Sequence, residues 1–94
     1  MDTEIRHDEE QGKFFADTPA GEARLSYTRP DEHTLDFRST YVPSAARGRG
    51  LGARLVLHGL DYAREHGYKV IPTCPFVADV VAAEPGYRDL LVRR

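Results

Sequence analysis

The 94-residue chain predicts an α+β domain: a meander of antiparallel strands, then one βαβ crossover and a second helix. Three observations carry this. Apolar residues alternate with period two up to Val42, and they recur at helical spacing from Leu51 onward. A glycine- and arginine-rich loop joins the two regimes. The element order is β-β-β-β-α-β-α, in a mostly antiparallel sheet within a single domain over residues 1–94.

A short strand near Ile5 opens the meander. Gly12 to Asp17 is a β-prone run closed by Thr18-Pro19-Ala20-Gly21. Ala23, Leu25 and Tyr27 then alternate with Glu22, Arg24, Ser26 and Thr28, the signature of a half-buried strand. Residues 29–33 (Arg-Pro-Asp-Glu-His) read as a turn. After it Leu35, Phe37, Ser39 and Tyr41 are expected on one face. Leu55, Val56, Gly59, Leu60 and Ala63 form a helical stripe that Gly67 should stop. Lys69 to Thr73 returns as a strand, Pro75 starts a helix through about Glu84, and Tyr87 to Val92 makes a last turn.

Composition narrows the function. Hydrophobic residues are 40%, charged residues 30%, and the formal net charge is −2, which argues against a generic nucleic-acid binder. The longest apolar run, residues 80–83, is far short of a membrane span of roughly 20 residues. A polar, acidic N-terminus shows no signal peptide, so a cytoplasmic setting is expected. A single cysteine excludes an intrachain disulfide and a Cys-rich zinc site. His7, His33, His58 and His66 lack metal-ligand spacing and read as surface histidines, so no metal is expected.

Charge is divided along the chain. Residues 1–46 hold 5 Lys/Arg and 10 Asp/Glu, and residues 47–94 hold 8 and 5. The basic excess begins at Arg47, Arg49 and Arg54, interleaved with Gly48, Gly50 and Gly52. This loop follows a strand and starts an amphipathic helix, where unpaired amides and the helix dipole favour an anion. It is neither a P-loop nor G-x-G-x-x-G. An ordinary glycine-rich helix start with solvated arginines is the alternative.

Arg47 to Gly52 spells R-x-x-G-x-G directly after Val42-Pro43. This resembles the coenzyme A pyrophosphate loop of the GCN5-related N-acetyltransferase (GNAT) family. From His33 to Val92 the chain resembles its minimal, YjdJ-like subgroup. The matching stretches are Thr40-Tyr41-Val42-Pro43, Arg47-Gly48-Arg49-Gly50, Val70-Ile71-Pro72-Thr73-Cys74 and Pro85-Gly86-Tyr87-Arg88-Asp89-Leu90. Ser39 stands where the subgroup usually has histidine. The resemblance implies a GNAT-like fold, and coenzyme A or acetyl-CoA bound by Tyr41, Val42, Arg47, Gly48, Arg49, Gly50, Leu51, Gly52, Ala53 and Arg54. It also implies that the strand Ser39 to Val42 splays from its neighbour and polarises the thioester through its backbone.

Acetyl transfer needs a neutral amine, a polarised carbonyl and a stabilised leaving thiolate. Cys74, just before the helix opened by Pro75, is one catalytic candidate, as nucleophile or acid/base group. Its alternative is a small buried hydrophobe. Tyr87 is the other, by resemblance the acid for the leaving thiolate, or else a packing anchor. Tyr41 poses the same choice and is expected in the core. Asp31, Glu32 and Asp36 could attract or deprotonate an amine, or belong to a solvated turn. The expected function is an acetyl-CoA-dependent N-acetyltransferase of unassigned amine acceptor, acting as a monomer or weak dimer. The alternative is a non-catalytic coenzyme A-binding module.

Overall fold

The computed structural model describes residues 3–92, and its sheet runs β1-β2-β3-β4-β5 in both chain order and spatial order. The strands are β1 (Arg6–Asp8), β2 (Lys13–Thr18), β3 (Gly21–Asp31), β4 (Thr34–Tyr41) and β5 (Lys69–Ile71). Three antiparallel pairings join β1 through β4, and β5 lies parallel to β4. The crossover between β4 and β5 is helix α1 (Leu51–His66), and α2 (Pro75–Ala83) follows β5. A 3-10 turn over Pro85–Leu90 takes the place of the last turn expected at Tyr87 to Val92. The expected α+β order is the observed one.

Alternation builds the core as expected over most of the meander. Phe14, Ala16, Ala23, Leu25 and Phe37 are fully buried, and Leu55, Val56, Leu60 and Ala63 of α1 lie over them. Gly59 makes the contact close. A Cβ there would stand 3.0 Å from both Leu25 and Phe37, so even alanine would require those side chains to give by a few tenths of an ångström.

Two irregularities change the reading of single residues. The segment 29–33 is not a loop: β3 continues to Asp31, and only Glu32 and His33 lie between the strands. The extra length is absorbed by a shift between Thr28 and Asp31, a span that includes Pro30, which has no amide to give a ladder. The second irregularity is in β4. Ser26 pairs with Ser39 and Tyr27 with Phe37, so Arg38 is an extra residue on that strand. The alternation breaks there. Ser39 and Tyr41 are exposed instead of sharing the buried face of Leu35 and Phe37.

Two polar expectations also change. Asp36 sits inside β4 rather than in a solvated turn, accepting from Thr73 Oγ1 and Arg38 Nη1. His7 is half-buried rather than a surface residue: it stacks on Phe14 with ring centroids 4.1 Å apart and meets the Tyr27 hydroxyl at 2.6 Å. Among the described residues, no helix is long and apolar enough to cross a membrane.

Candidate functional site

The parallel ladder between β4 and β5 covers only Thr34–Asp36 against Lys69–Ile71. Past it β4 runs on to Tyr41, while the chain after β5 turns away into α2. The last backbone link between them is Cys74 N–H to the Phe37 carbonyl, at 2.9 Å. The strands therefore part beside the start of α1, and the gap between them opens into a cavity of about 500 Å³.

Each wall has a local cause. Thr40, Tyr41 and Val42 form one side. Pro43 leads into a 3-10 turn over Ser44–Ala46, and Arg47 folds back so that its Nε donates to the Val42 carbonyl at 2.9 Å. Gly50, with φ of +75°, reverses the chain into α1, a conformation side chains with a Cβ rarely adopt. The first bond of the α1 ladder is Arg54 N–H to Gly50 O, at 3.0 Å. The amides of Leu51, Gly52 and Ala53 thus precede the ladder, and Gly50 has no side chain to cap them. No acidic residue occupies the first turn, so the positive end of the helix dipole is uncompensated.

Phe76 closes the far wall. Its ring lies over Gly52, where a Cβ would stand 3.2 Å from it. Phe76 and Tyr41 are the exposed large hydrophobics among the described residues, and both line this cavity. Apolar surface left open beside unpaired amides is the composition of a ligand site.

The expected site residues divide. Tyr41, Val42, Arg47, Gly48, Gly50, Leu51, Gly52 and Ala53 all line the cavity. Arg49 and Arg54 do not. They face a neighbouring cavity of about 440 Å³ with Thr3 and Thr18, and Arg54 Nη2 donates to the Thr3 carbonyl at 2.9 Å. Tyr41 is exposed, not core, because the extra residue in β4 turns it outward.

Cys74 lies behind the cavity wall, 7% exposed. Its Sγ is 3.6 Å from Thr40 Oγ1. Burial pushes the thiol up, but the amide of Val77, the Thr40 hydroxyl and the amides of Phe76 and Thr40 together hold it below its ordinary value. Tyr87 is elsewhere. Its hydroxyl donates to Asp61 at 2.7 Å and its ring meets the Arg64 guanidinium, roughly 16 to 21 Å along α1 from Gly50 at 1.5 Å per residue. The bond to Asp61, then burial, raises the phenol. Its surroundings are those of a packing anchor.

Thr40, Ala46 and Phe76 line the cavity without having been singled out as site residues. Thr40 belongs to the Thr-Tyr-Val-Pro stretch, which carried the signal. Phe76 had one too, as an aromatic beside the helix-opening Pro75.

Comparison with known proteins adds independent findings. A sequence model of the GCN5-related N-acetyl-transferase family matches residues 13–90. Protein NATD1 of Xenopus tropicalis is 29% identical over 83 residues, covering 86% of this chain and 76% of that protein. The Gallus gallus protein of the same name is 29% identical over 84 residues, covering 87% and 76%. A GCN5-like protein of Staphylococcus aureus, solved by NMR, superposes with a TM-score of 0.75. It shares 26% identity and is aligned over 97% of this chain and 89% of its own.

Proposed function

The chain belongs to the GCN5-related N-acetyltransferase family, and from that premise we propose that it transfers the acetyl group of acetyl-CoA to an amine. The observation that carries this reading is the cavity itself. At one end are the amides of Leu51, Gly52 and Ala53, with Arg47 beside them. At the other is the free edge of β4 at Thr40 and Tyr41. A pyrophosphate fits the first and a thioester arm fits the second.

The protein's own groups then divide the work. Amides at the start of α1 and the Arg47 charge hold the pyrophosphate. Tyr41 and Phe76 shield the arm from water. The backbone of β4 polarises the thioester carbonyl as it becomes tetrahedral. Direct attack by the amine is the leading route: the C–N bond forms as the C–S bond breaks, and Cys74 shuttles a proton, giving one to the leaving thiolate and regaining the one the amine releases. Transfer of the acetyl group onto Cys74, which exchanges one thioester for another, is the second route. Tyr87 is too far along α1 to serve either. The excess of acidic residues in the first half of the chain suits a cationic acceptor, such as a protein tail. A cytoplasmic setting suits the unpaired thiol.

One observation favours a second reading. Among the described residues, no carboxylate and no histidine lines the cavity, so no general base stands in it. A coenzyme A-binding module without turnover would have this lining.

Incubation with acetyl-CoA and a panel of amines and histone-like peptides separates the two. Release of free coenzyme A with acetylation of an acceptor supports the transferase. Tight coenzyme A retention without turnover on any acceptor supports the module. Failure to retain coenzyme A at all defeats both.

A further inference from the structure

The extra residue at Arg38 bends β4 and sends two nearby groups to the same sulfur-bearing residue. Phe37 keeps its carbonyl on the Cys74 amide, and Thr40 brings its hydroxyl to 3.6 Å from Sγ. Thr40 also lines the cavity, which Cys74 does not. Among the described residues, Thr40 is the side chain that faces the cavity on one side and the sulfur on the other.

The sulfur is otherwise held by backbone. The amides of Phe76 and Val77, in the first turn of α2, and that of Thr40 favour its thiolate. These partners are neutral dipoles from β4 and α2. A hydroxyl is different, because it can rotate. It can donate to Sγ or swing toward a group arriving in the cavity.

We propose that Thr40 is a positioning residue that couples the cavity to Cys74. In the protein alone its hydroxyl donates to Sγ and favours the thiolate. When a coenzyme A sulfur reaches the end of the cavity, the hydroxyl turns to that sulfur and Cys74 loses the bond. Cys74 is then kept as the thiol, the form that has a proton to pass toward the leaving thiolate, until the ligand leaves. The first half of this proposal stands on the protein alone; the second rests on the coenzyme A reading above.

The test follows the titration of Cys74 through its 13Cβ resonance, which needs no reagent access and is unambiguous in a chain with one cysteine. Thr40→Val keeps the shape and removes the donor. Its midpoint should rise by about one pH unit, the size of one hydrogen bond to a charged group. Thr40→Ser should restore the parent midpoint. Saturating coenzyme A should raise the midpoint of the parent and leave that of Thr40→Val unmoved.

A Thr40→Val midpoint equal to the parent's, in a variant with the parent's circular dichroism, overturns the positioning role. So does a Thr40→Ser variant that fails to restore it. If coenzyme A binds by titration yet leaves the parent midpoint unmoved, the coupling is wrong. If coenzyme A does not bind, the functional reading falls and the coupling with it, while the comparison of Val and Ser still decides the positioning role.

Discussion

The two ends of α1 are built on opposite principles. Near its C-terminus the helix contributes side chains. Tyr62 stacks on His66 at 4.1 Å and meets the edge of His7, which itself stacks on Phe14 and bonds Tyr27. Burial, then the bond to Glu9, pushes the Tyr62 phenol up to about 12, so it remains a donor at neutral pH. At its N-terminus the helix contributes backbone. Gly50 and Gly52 leave amides bare, and no side chain caps them. One end is filled and stabilises; the other is left open and binds. The same helix can do both because each device is confined to about one turn or two.

The largest effect expected from breaking this contrast comes from Phe14→Ala. Phe14 is fully buried, with His7, Tyr27, Phe37, His58 and Tyr62 as ring neighbours. Its loss should cost about 3–5 kcal/mol, a large part of the roughly 5–15 kcal/mol typical of a domain. Urea denaturation measures the loss, and coenzyme A affinity well below the transition should be retained. A loss under about 1 kcal/mol would mean that the packed end does not carry the fold.

A smaller effect is expected from acid. Burial lowers the His7 pKa below the ordinary imidazole value of 6.5, with His58 and His66 adding repulsion and Glu9 and Asp8 opposing it. The unfolded chain therefore takes up this proton first. The contribution is fully present above pH 6.5 and is lost as pH falls through the lower folded value. Asp31 and Asp89 are held below the ordinary carboxylate range and titrate at lower pH. Stability should decline between pH 7 and pH 5, and His7→Gln should flatten that decline. An equally steep decline in the variant would assign it to other groups.

The packed end was legible in sequence wherever the strand was regular. Ala23, Leu25 and Tyr27 alternate into the core as their spacing says. The period-two pattern sets Tyr41 in the core because it cannot register an inserted residue, and Arg38 is one. His7 reads as a surface residue because its partners lie on three other elements, β2, β3 and α1, which no local pattern brings together. At the open end, glycines announced the bare amides directly, since a backbone site needs only that side chains be missing. Arginine direction was not announced. Arg47 folds toward Val42, whereas Arg54 reaches across to Thr3, and spacing in the loop carries neither fact. Tyr87 followed a readable turn, but no local pattern says which end of α1 that turn meets.

The central claim is that coenzyme A is held by backbone amides at the open end of α1. Amide NMR titration with coenzyme A tests it most directly, in the parent and in Gly50→Val. An added Cβ at Gly50 meets no atom within 4 Å, so the substitution acts through the φ of +75° and re-aims the loop without filling the cavity. That strain should cost roughly 1–2 kcal/mol. In the parent, the amides of residues 48–53 should shift most, with weaker binding at higher salt, and Gly50→Val should bind at least about tenfold more weakly. A further cavity lies on the other side of β5, between His33, Lys69 and Asp89; shifts centred there, or equal affinity in the two proteins, would contradict the claim.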